Sequence, residues 1–166
     1  ISRKKVKKML VLGIESTCDE TACAIVKNGK EILANVISSQ CDLHNQFGGG
    51  YPELACRRHL DVLIPVIQAA LTEAKVSLDQ IDLISAAKGP GLIGALLIGL
   101  NAAKALAFAR NIPFIGINHV EAHIYAAMMP LDHPLFPALG IVVSGGHTFL
   151  VMIKDIGQYQ MMGTTQ

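Results

Sequence analysis

The stretch that decides the fold is residues 9–39, MLVLGIESTCDETACAIVKNGKEILANVISS. It contains three apolar runs, 9–15, 21–27 and 31–39, each of a length and composition typical of a buried β-strand. A polar turn separates the first two runs, and the Asn-Gly pair at 28–29 is a strong hairpin signal between the second and third. The stretch therefore predicts three antiparallel strands that pair in chain order.

Helical and strand patterns alternate in the next part of the chain. A helix is expected to begin at Pro52, and Pro65 inside it predicts a kink or a break. The other expected elements are a strand over 81–87, a helix over 92–109, a strand over 113–117 and a helix over 122–128. The order β-β-β-α-β-α-β-α is that of the ribonuclease-H-like unit, which actin-type ATPases use twice, once in each lobe.

The strand pattern then begins again, with apolar runs at 138–143, 148–154 and 159–162. We therefore expect an α/β protein with an actin-like ATPase (ribonuclease-H-like) fold, one complete lobe followed by the first strands of a second. The expected domains are a basic N-terminal extension over 1–8, a lobe over 9–137 and the start of another lobe over 138–166.

Composition limits the classes of function. The 166-residue chain is 51% hydrophobic and 16% charged, which excludes general disorder. Five of its 14 basic residues lie in residues 3–8, so the remainder is mildly acidic and does not favour a broad nucleic-acid-binding face. The four cysteines lack zinc-ribbon spacing, and the apolar run 91–100 is too short to cross a bilayer. A soluble cytoplasmic protein without membrane contact is expected.

Two histidines follow the predicted strand 113–117. His119 and His123 are four residues apart, which places them about 40° apart around a helix, so both imidazoles can reach one metal ion. Their position at the carboxyl end of a strand favours a site, since α/β sheets bind ligands there. The alternative is a surface helix that carries two unrelated histidines.

The same pair suggests a metallopeptidase, but the spacing argues against it. Zincins place a glutamate directly after the first histidine, where it acts as general base on metal-bound water. Here Glu121 comes two residues after His119, about 200° around the helix, so its carboxylate points away from the expected metal.

Two turns contain residues suited to a nucleotide. The turns at Ser16-Thr17 and at Ser144-Gly145-Gly146 occupy equivalent points of the repeated strand pattern and can offer backbone N–H groups to phosphates. Asp19 and Glu20, beside the first turn, can hold a magnesium ion or orient a nucleophile. The alternatives are two ordinary hairpin turns and a pair of solvated carboxylates.

Five motifs in order resemble one family, bacterial TsaD, the tRNA N6-adenosine threonylcarbamoyltransferases once called the glycoprotease or O-sialoglycoprotein endopeptidase family. The resemblance covers its N-terminal part. The motifs are GIESTCDET at 13–21, PELA at 52–55 with Arg57 and His59, GPGL at 89–92, NHVEAH at 118–123 and VSGGHT at 143–148.

The resemblance implies transfer of threonylcarbamoyl from threonylcarbamoyl-AMP to N6 of the adenosine beside the anticodon of ANN-decoding tRNAs. It implies one divalent metal ion, iron or zinc, held by His119 and His123 and by an aspartate beyond this sequence. It also implies that Asp19 and Glu20 lie near the reactive centre. The residues implied to lie against the donor are Val142, Val143, Ser144, Gly145 and Gly146. The implied partners are tRNA and the proteins TsaB and TsaE.

The sequence departs from the family pattern at Ala87, where threonine is frequent, and at Gly50-Tyr51, where an aliphatic pair is commoner. It also ends before the family's acidic segment, so the fragment is expected to be inactive alone. Three classes of function remain: the tRNA-modifying transferase, a metallopeptidase, and a non-catalytic lobe that only binds a partner.

Overall fold

The first sheet has five strands, and the prediction of its first three is confirmed. The computed structural model describes residues 8–40, 52–131, 133, 135–143 and 148–165. The strand order is β3-β2-β1-β4-β5, in which β1, β2 and β3 pair antiparallel and β1, β4 and β5 run parallel. The strands are β1 (Leu10–Glu15), β2 (Glu20–Lys27), β3 (Glu31–Ser39), β4 (Leu83–Gly89) and β5 (Phe114–Asn118).

Two long helices pack on one face of this sheet. Helix α1 (Pro52–Ala74) lies against β2 and β3, and helix α2 (Ile93–Arg110) lies against β4 and β1 and also contacts α1. A single 3₁₀ turn, Leu78–Gln80, precedes β4. Of the predicted kink or break at Pro65, the break is wrong because the helix continues through this residue, and the kink stays a prediction. The proline is exposed, where water can replace the lost backbone hydrogen bond.

The main core lies between the sheet and these helices. Leu12, Ile25 and Ile84 are fully buried in three neighbouring strands. Helix α2 faces them with small residues, because Gly99, Ala103 and Ala107 allow its backbone to approach the sheet closely. Other buried members of the core are Ile14, Cys23, Ala34, Leu63, Val66, Ile67, Ala70, Ile81 and Ala86.

A second sheet of three antiparallel strands confirms the repeated strand pattern. It comprises β6 (Ala138–Val143), β7 (Thr148–Asp155) and β8 (Gln158–Thr165), paired in chain order. Helix α3 (His119–Met128) precedes it and contributes Ile124, which is buried with Val151 and Ile153.

The chain divides into two compact units, Ile1–His119 and Val120–Gln166. Most of helix α3 therefore groups with the second sheet. The expected domain boundaries at residues 9 and 138 stay a prediction.

Helix α2 is, by length and composition alone, apolar enough to cross a membrane. It packs against β4 and α1 through a buried stripe of small residues, as a core helix of a soluble protein also does. The expectation that the protein contacts no membrane, like its cytoplasmic location, stays a prediction.

Candidate active site

The carboxyl ends of three parallel strands meet at one edge of the first sheet. Glu15 ends β1, Gly89 ends β4 and Asn118 ends β5, and Gly89 is directly paired with Asn118. Ligands of open α/β sheets bind at this edge, because loops leaving the strands converge there. The turn after β1 and the start of helix α3 both lie at it.

The turn after β1 is anchored by a buried serine. Ser16 is 3% exposed, and its Oγ donates a hydrogen bond to the Ala95 carbonyl at 2.8 Å. The same Oγ accepts a hydrogen bond from the Gly99 N–H at 3.2 Å. A Cβ at position 99 would lie 2.4 Å from this oxygen, so only glycine lets helix α2 come this close. The turn is thus fixed to the second helix of the sheet.

The Gly-Pro-Gly turn before helix α2 is the other partner of this turn. The Leu92 N–H donates to the Thr17 carbonyl at 2.8 Å. A Cβ at position 91 would lie 2.8 Å from that carbonyl oxygen, which explains the glycine there. Gly89, with φ of +141°, adopts a conformation that other residues rarely take.

His59 of helix α1 holds the far side of the turn. The side chain is 0% exposed; Nε2 lies 3.0 Å from the Cys18 carbonyl and Nδ1 lies 2.7 Å from Thr21 Oγ1. A carbonyl oxygen only accepts, so Nε2 carries a proton and donates it. In the neutral imidazole, Nδ1 then accepts from the Thr21 hydroxyl. His59 therefore connects the turn to β2 through two buried hydrogen bonds.

The two candidate carboxylates sit on either side of the turn's end. Asp19 is half-buried in the turn, and its carbonyl accepts a hydrogen bond from the Gln40 N–H at 3.0 Å. Glu20 is the exposed first residue of β2. Because Thr21 points toward helix α1, alternation along the strand directs Glu20 to the opposite face of the sheet.

The thiol of Cys18 is not activated as a nucleophile. Burial raises its pKa above the ordinary value of 9.0, and the neighbouring carboxylates of Asp19 and Glu15 raise it further. A thiol with a raised pKa is protonated at neutral pH, and only the thiolate attacks carbonyl groups efficiently. Among the polar groups of this turn, the carboxylates remain the candidates for chemistry.

Glu15 lies between the turn and the first histidine. Its Oε1 accepts a hydrogen bond from the Thr17 N–H at 2.5 Å and lies 3.8 Å from Nδ1 of His119. The first turn is expected to offer its N–H groups to a phosphate, but the Thr17 N–H already donates to the Glu15 carboxylate. The carboxylate instead links the end of β1 to the start of helix α3.

His119 and His123 lie on one helix, as predicted, because helix α3 begins at His119 itself rather than at residue 122. Glu121 is in the same helix, so its position about 200° from His119 holds and the zincin geometry is absent. Among the residues that the structure describes, no group of three or more histidine, cysteine, aspartate or glutamate side chains could hold a metal. The two imidazoles are nitrogen donors of the kind that iron and zinc accept, and the Glu15 carboxylate lies 3.8 Å from His119 Nδ1, beyond hydrogen-bond distance. Metal binding by this pair stays a prediction.

The expected donor-binding segment is only partly described. Val142 is half-buried against the Ile124 cluster, whereas Val143 ends β6 and is 75% exposed. Ser144, Gly145 and Gly146 lie outside the described residues. Their implied role against the donor stays a prediction.

Two residues of this site, His59 and Glu15, are not predicted as functional candidates from the sequence, although both lie within quoted motifs. Their signals are weak: a histidine on the sheet-facing side of a helix, and a carboxylate as the last residue of a buried strand. Their partners are distant in sequence, 38 and 41 residues for His59, so spacing does not indicate them.

The sheet order, the two helices on one face and the site at the carboxyl edge define an α/β protein of the actin-like ATPase (ribonuclease-H-like) class. Comparison with a solved structure agrees: YeaZ from Pseudomonas aeruginosa superposes with a TM-score of 0.63 at 16% identity, covering 93% of this chain and 64% of that one. At that identity the likeness concerns the fold alone.

The family follows from sequence. Residues 31–166 match the family model "TsaD: tRNA N6-adenosine threonylcarbamoyltransferase". A protein of that name from Protochlamydia amoebophila is 69% identical over 160 residues, 95% of this chain and 46% of the relative. The namesake from Bacillus subtilis is 54% identical over 159 residues, covering 96% of this chain and 46% of the relative. The chain belongs to the TsaD family and spans about half the length of these curated relatives.

Proposed function

We propose that the candidate site serves threonylcarbamoyl transfer from threonylcarbamoyl-AMP to N6 of the adenosine beside the anticodon of ANN-decoding tRNAs. The observation that carries the proposal is the convergence at the edge of the first sheet. There the turn with Asp19 and Glu20 is locked from two helices, and Glu15 faces His119. Family membership supports the reaction class, and the carboxylates and the imidazole at this edge are groups of the kind that the reaction needs.

The reaction requires a proton acceptor near the adenosine amine. The N6 lone pair attacks the carbamoyl carbonyl carbon, and the bond from that carbon to the AMP phosphate oxygen breaks. AMP leaves with the bonding electron pair, and the carboxylate of Asp19 or Glu20 accepts the proton lost by N6. The half-buried Asp19 lies in a turn whose backbone is held by hydrogen bonds, and the exposed Glu20 directly follows that turn.

His119 and His123 would hold the divalent metal, iron or zinc, with further ligands from outside the described residues. When bound, such an ion polarises the carbonyl group of the donor as a Lewis acid. The histidines' own task is to present two neutral nitrogens from successive turns of helix α3. The donor itself would lie against Val142, Val143, Ser144, Gly145 and Gly146.

The partners proposed for this chain are tRNA and proteins similar to TsaB and TsaE. A docking surface for the TsaB-like protein is available on the outer side of α1 and α2. We define this helical surface by Leu60 and Ile64 of α1 and Ile93 and Leu97 of α2, which are 64%, 51%, 74% and 45% exposed. Four exposed aliphatic side chains on two packed helices form an apolar surface suited to packing against helices of a partner.

Leu96 of α2, next to Leu97 in sequence, does not belong to the helical surface, since it is 7% exposed and faces inward. A charge at Leu96 would disrupt the core, so the matched test is Leu97→Glu. This variant is expected to fold normally and to bind the TsaB-like partner at least tenfold more weakly, measured by calorimetry; unchanged binding would contradict the surface.

The activity is tested in the full-length background, by transfer of labelled threonine, supplied as threonylcarbamoyl-AMP, to unmodified ANN-decoding tRNA with the partner proteins present. Loss of the proton acceptor is expected to lower the rate 10²- to 10⁴-fold in Asp19→Asn or in Glu20→Gln. The exposed Glu31→Gln is the charge-matched control and should retain full activity. Full activity in both Asp19→Asn and Glu20→Gln would contradict the assigned role.

A further inference from the structure

Glu15 is a charged side chain at the end of a central strand, and the proposed reaction does not use it. Its strand β1 is paired on both sides, to β2 and to β4, so its backbone is fixed. The side chain is 32% exposed and faces away from helices α1 and α2, since the preceding Ile14 is buried under them. A partly buried carboxylate needs a partner, and its partners identify its task.

The first partner fixes the carboxylate itself. The Thr17 N–H donates to Oε1 at 2.5 Å, and the Thr17 carbonyl is in turn held by the Leu92 N–H. The carboxylate is therefore held by the turn rather than moving as a free side chain. Its position relative to the end of β5 follows from the parallel pairing of β1, β4 and β5.

The second partner is the ring of His119, whose Nδ1 lies 3.8 Å from the same Oε1. A neutral imidazole carries its proton on either nitrogen, and a carboxylate near Nδ1 favours the tautomer with the proton there. That tautomer leaves the lone pair on Nε2, the atom that would then bind the metal. At 3.8 Å the contact is electrostatic rather than a hydrogen bond, and it favours the Nδ1–H tautomer.

We propose that Glu15 is the positioning residue that holds His119 for metal binding through Nε2. The proposal rests on the metal site proposed at His119 and His123, and it adds a residue from the first motif to that site. It also connects the two halves of the reaction, because one carboxylate orders the turn that carries Asp19 and Glu20 and orients the metal ligand.

The test uses Glu15→Gln, which keeps an oxygen acceptor for the Thr17 N–H and removes the charge. Glu121→Gln, in the same helix as the histidines, is the charge-matched control. The tautomer of His119 is read from its ring ¹⁵N chemical shifts at pH 7.5 without metal. Zinc affinity is measured by calorimetry for both variants and for His123→Ala.

We expect the Nδ1–H tautomer of His119 in the wild type and in Glu121→Gln, and a shift toward Nε2–H in Glu15→Gln. Zinc affinity should fall about tenfold in Glu15→Gln and change less than twofold in Glu121→Gln. A dominant Nε2–H tautomer in the wild type, or equal affinities for the two variants, would overturn the proposal. Wild-type zinc affinity in His123→Ala would instead refute the metal site, and the metal-free tautomer measurement separates that failure from a failure of Glu15.

Discussion

The two three-stranded meanders, β1–β3 and β6–β8, have the same strand order but differ in what holds them. The first is covered by two helices and contributes fully buried side chains such as Leu12, Cys23 and Ile25. The second packs on one helix through Ile124, and its other face leaves Leu139 57% exposed and Val143 75% exposed. A repeated strand pattern therefore gives equal topology without equal burial.

The turns of the two meanders differ in the same way. The turn after β1 is fixed by buried hydrogen bonds from Ser16 and His59. The turn between β7 and β8 is held by hydroxyl groups near solvent: the Gly157 N–H and the Tyr159 hydroxyl donate to the Tyr125 hydroxyl at 3.0 and 3.2 Å. The candidate catalytic carboxylates lie at the buried, rigid turn, where a fixed geometry is useful.

The largest expected effect is at His59. His59→Ala leaves the Cys18 carbonyl and the Thr21 hydroxyl without their buried partner and opens a cavity, so unfolding in urea should show a loss of about 3 kcal/mol. His59→Gln, whose amide can still donate to the Cys18 carbonyl, should recover part of it. The exposed His133→Ala is the control and should be neutral. A loss below about 1 kcal/mol in His59→Ala would remove the contrast between the two turns.

Gly99→Ala tests the close approach of helix α2 to the first turn. Alanine favours the helix by about 1 kcal/mol, but its Cβ would lie 2.4 Å from Ser16 Oγ and displace both hydrogen bonds of that hydroxyl. We expect a net destabilisation of about 2 kcal/mol by thermal unfolding, partly relieved in Gly99→Ala with Ser16→Ala. Net stabilisation would show that the turn shifts to accommodate the added Cβ at little cost.

Cys23 makes the first meander sensitive to alkaline pH. Burial raises the pKa of its thiol from 9.0 to about 12, because the charged thiolate is disfavoured in the core. The stabilising contribution is complete below pH 9 and is lost as the pH rises toward 12, since only the unfolded chain ionises there. The slope is about 1.4 kcal/mol per pH unit. Cys23→Ala should lack this part of the pH dependence. If the free energy of unfolding in urea changed equally with pH in both proteins, the expectation would be wrong.

The smallest effect is expected in the second meander. Tyr125→Phe removes the hydroxyl that accepts from Gly157 and Tyr159, and keeps the edge-to-face packing of the two rings at 6.3 Å. Because these groups are near solvent, the loss should be about 1 kcal/mol. Faster hydrogen exchange of the Gly157 amide should report it. Tyr159→Phe is the control, since it leaves the Gly157 contact intact. An equal increase in hydrogen exchange of the Gly157 amide in both variants would contradict the role of the Tyr125 hydroxyl.

The sequence predicted elements better than contacts. Strand and helix bounds follow from apolar patterns, and most were placed within one or two residues. Helix α3 begins at His119, three residues before its predicted start, because polar residues directly after a strand do not indicate where a helix begins. Exposure is harder still: Leu96 and Leu97 are adjacent, yet one helical step of about 100° separates a buried from an exposed side chain.

The candidate site was predictable where a motif is local. The histidine pair follows from i, i+4 spacing within one helix, and Asp19 and Glu20 follow from their turn. The Glu15–His119 contact joins residues at the ends of two strands that are not adjacent in the sheet. Such a contact depends on parallel register across β1, β4 and β5, which apolar periodicity does not specify.

The most direct test of the proposed metal site on helix α3 compares His123→Ala with Glu121→Gln in tRNA modification. Each variant is made in the full-length background and incubated with threonylcarbamoyl-AMP, unmodified ANN-decoding tRNA and the partner proteins, and modified adenosine is measured by mass spectrometry. We expect loss of the product in His123→Ala, which removes one of the two proposed metal ligands, and a near wild-type amount in Glu121→Gln. Equal loss in both variants would contradict the helical geometry of the site and support a peptidase-like arrangement of the helix.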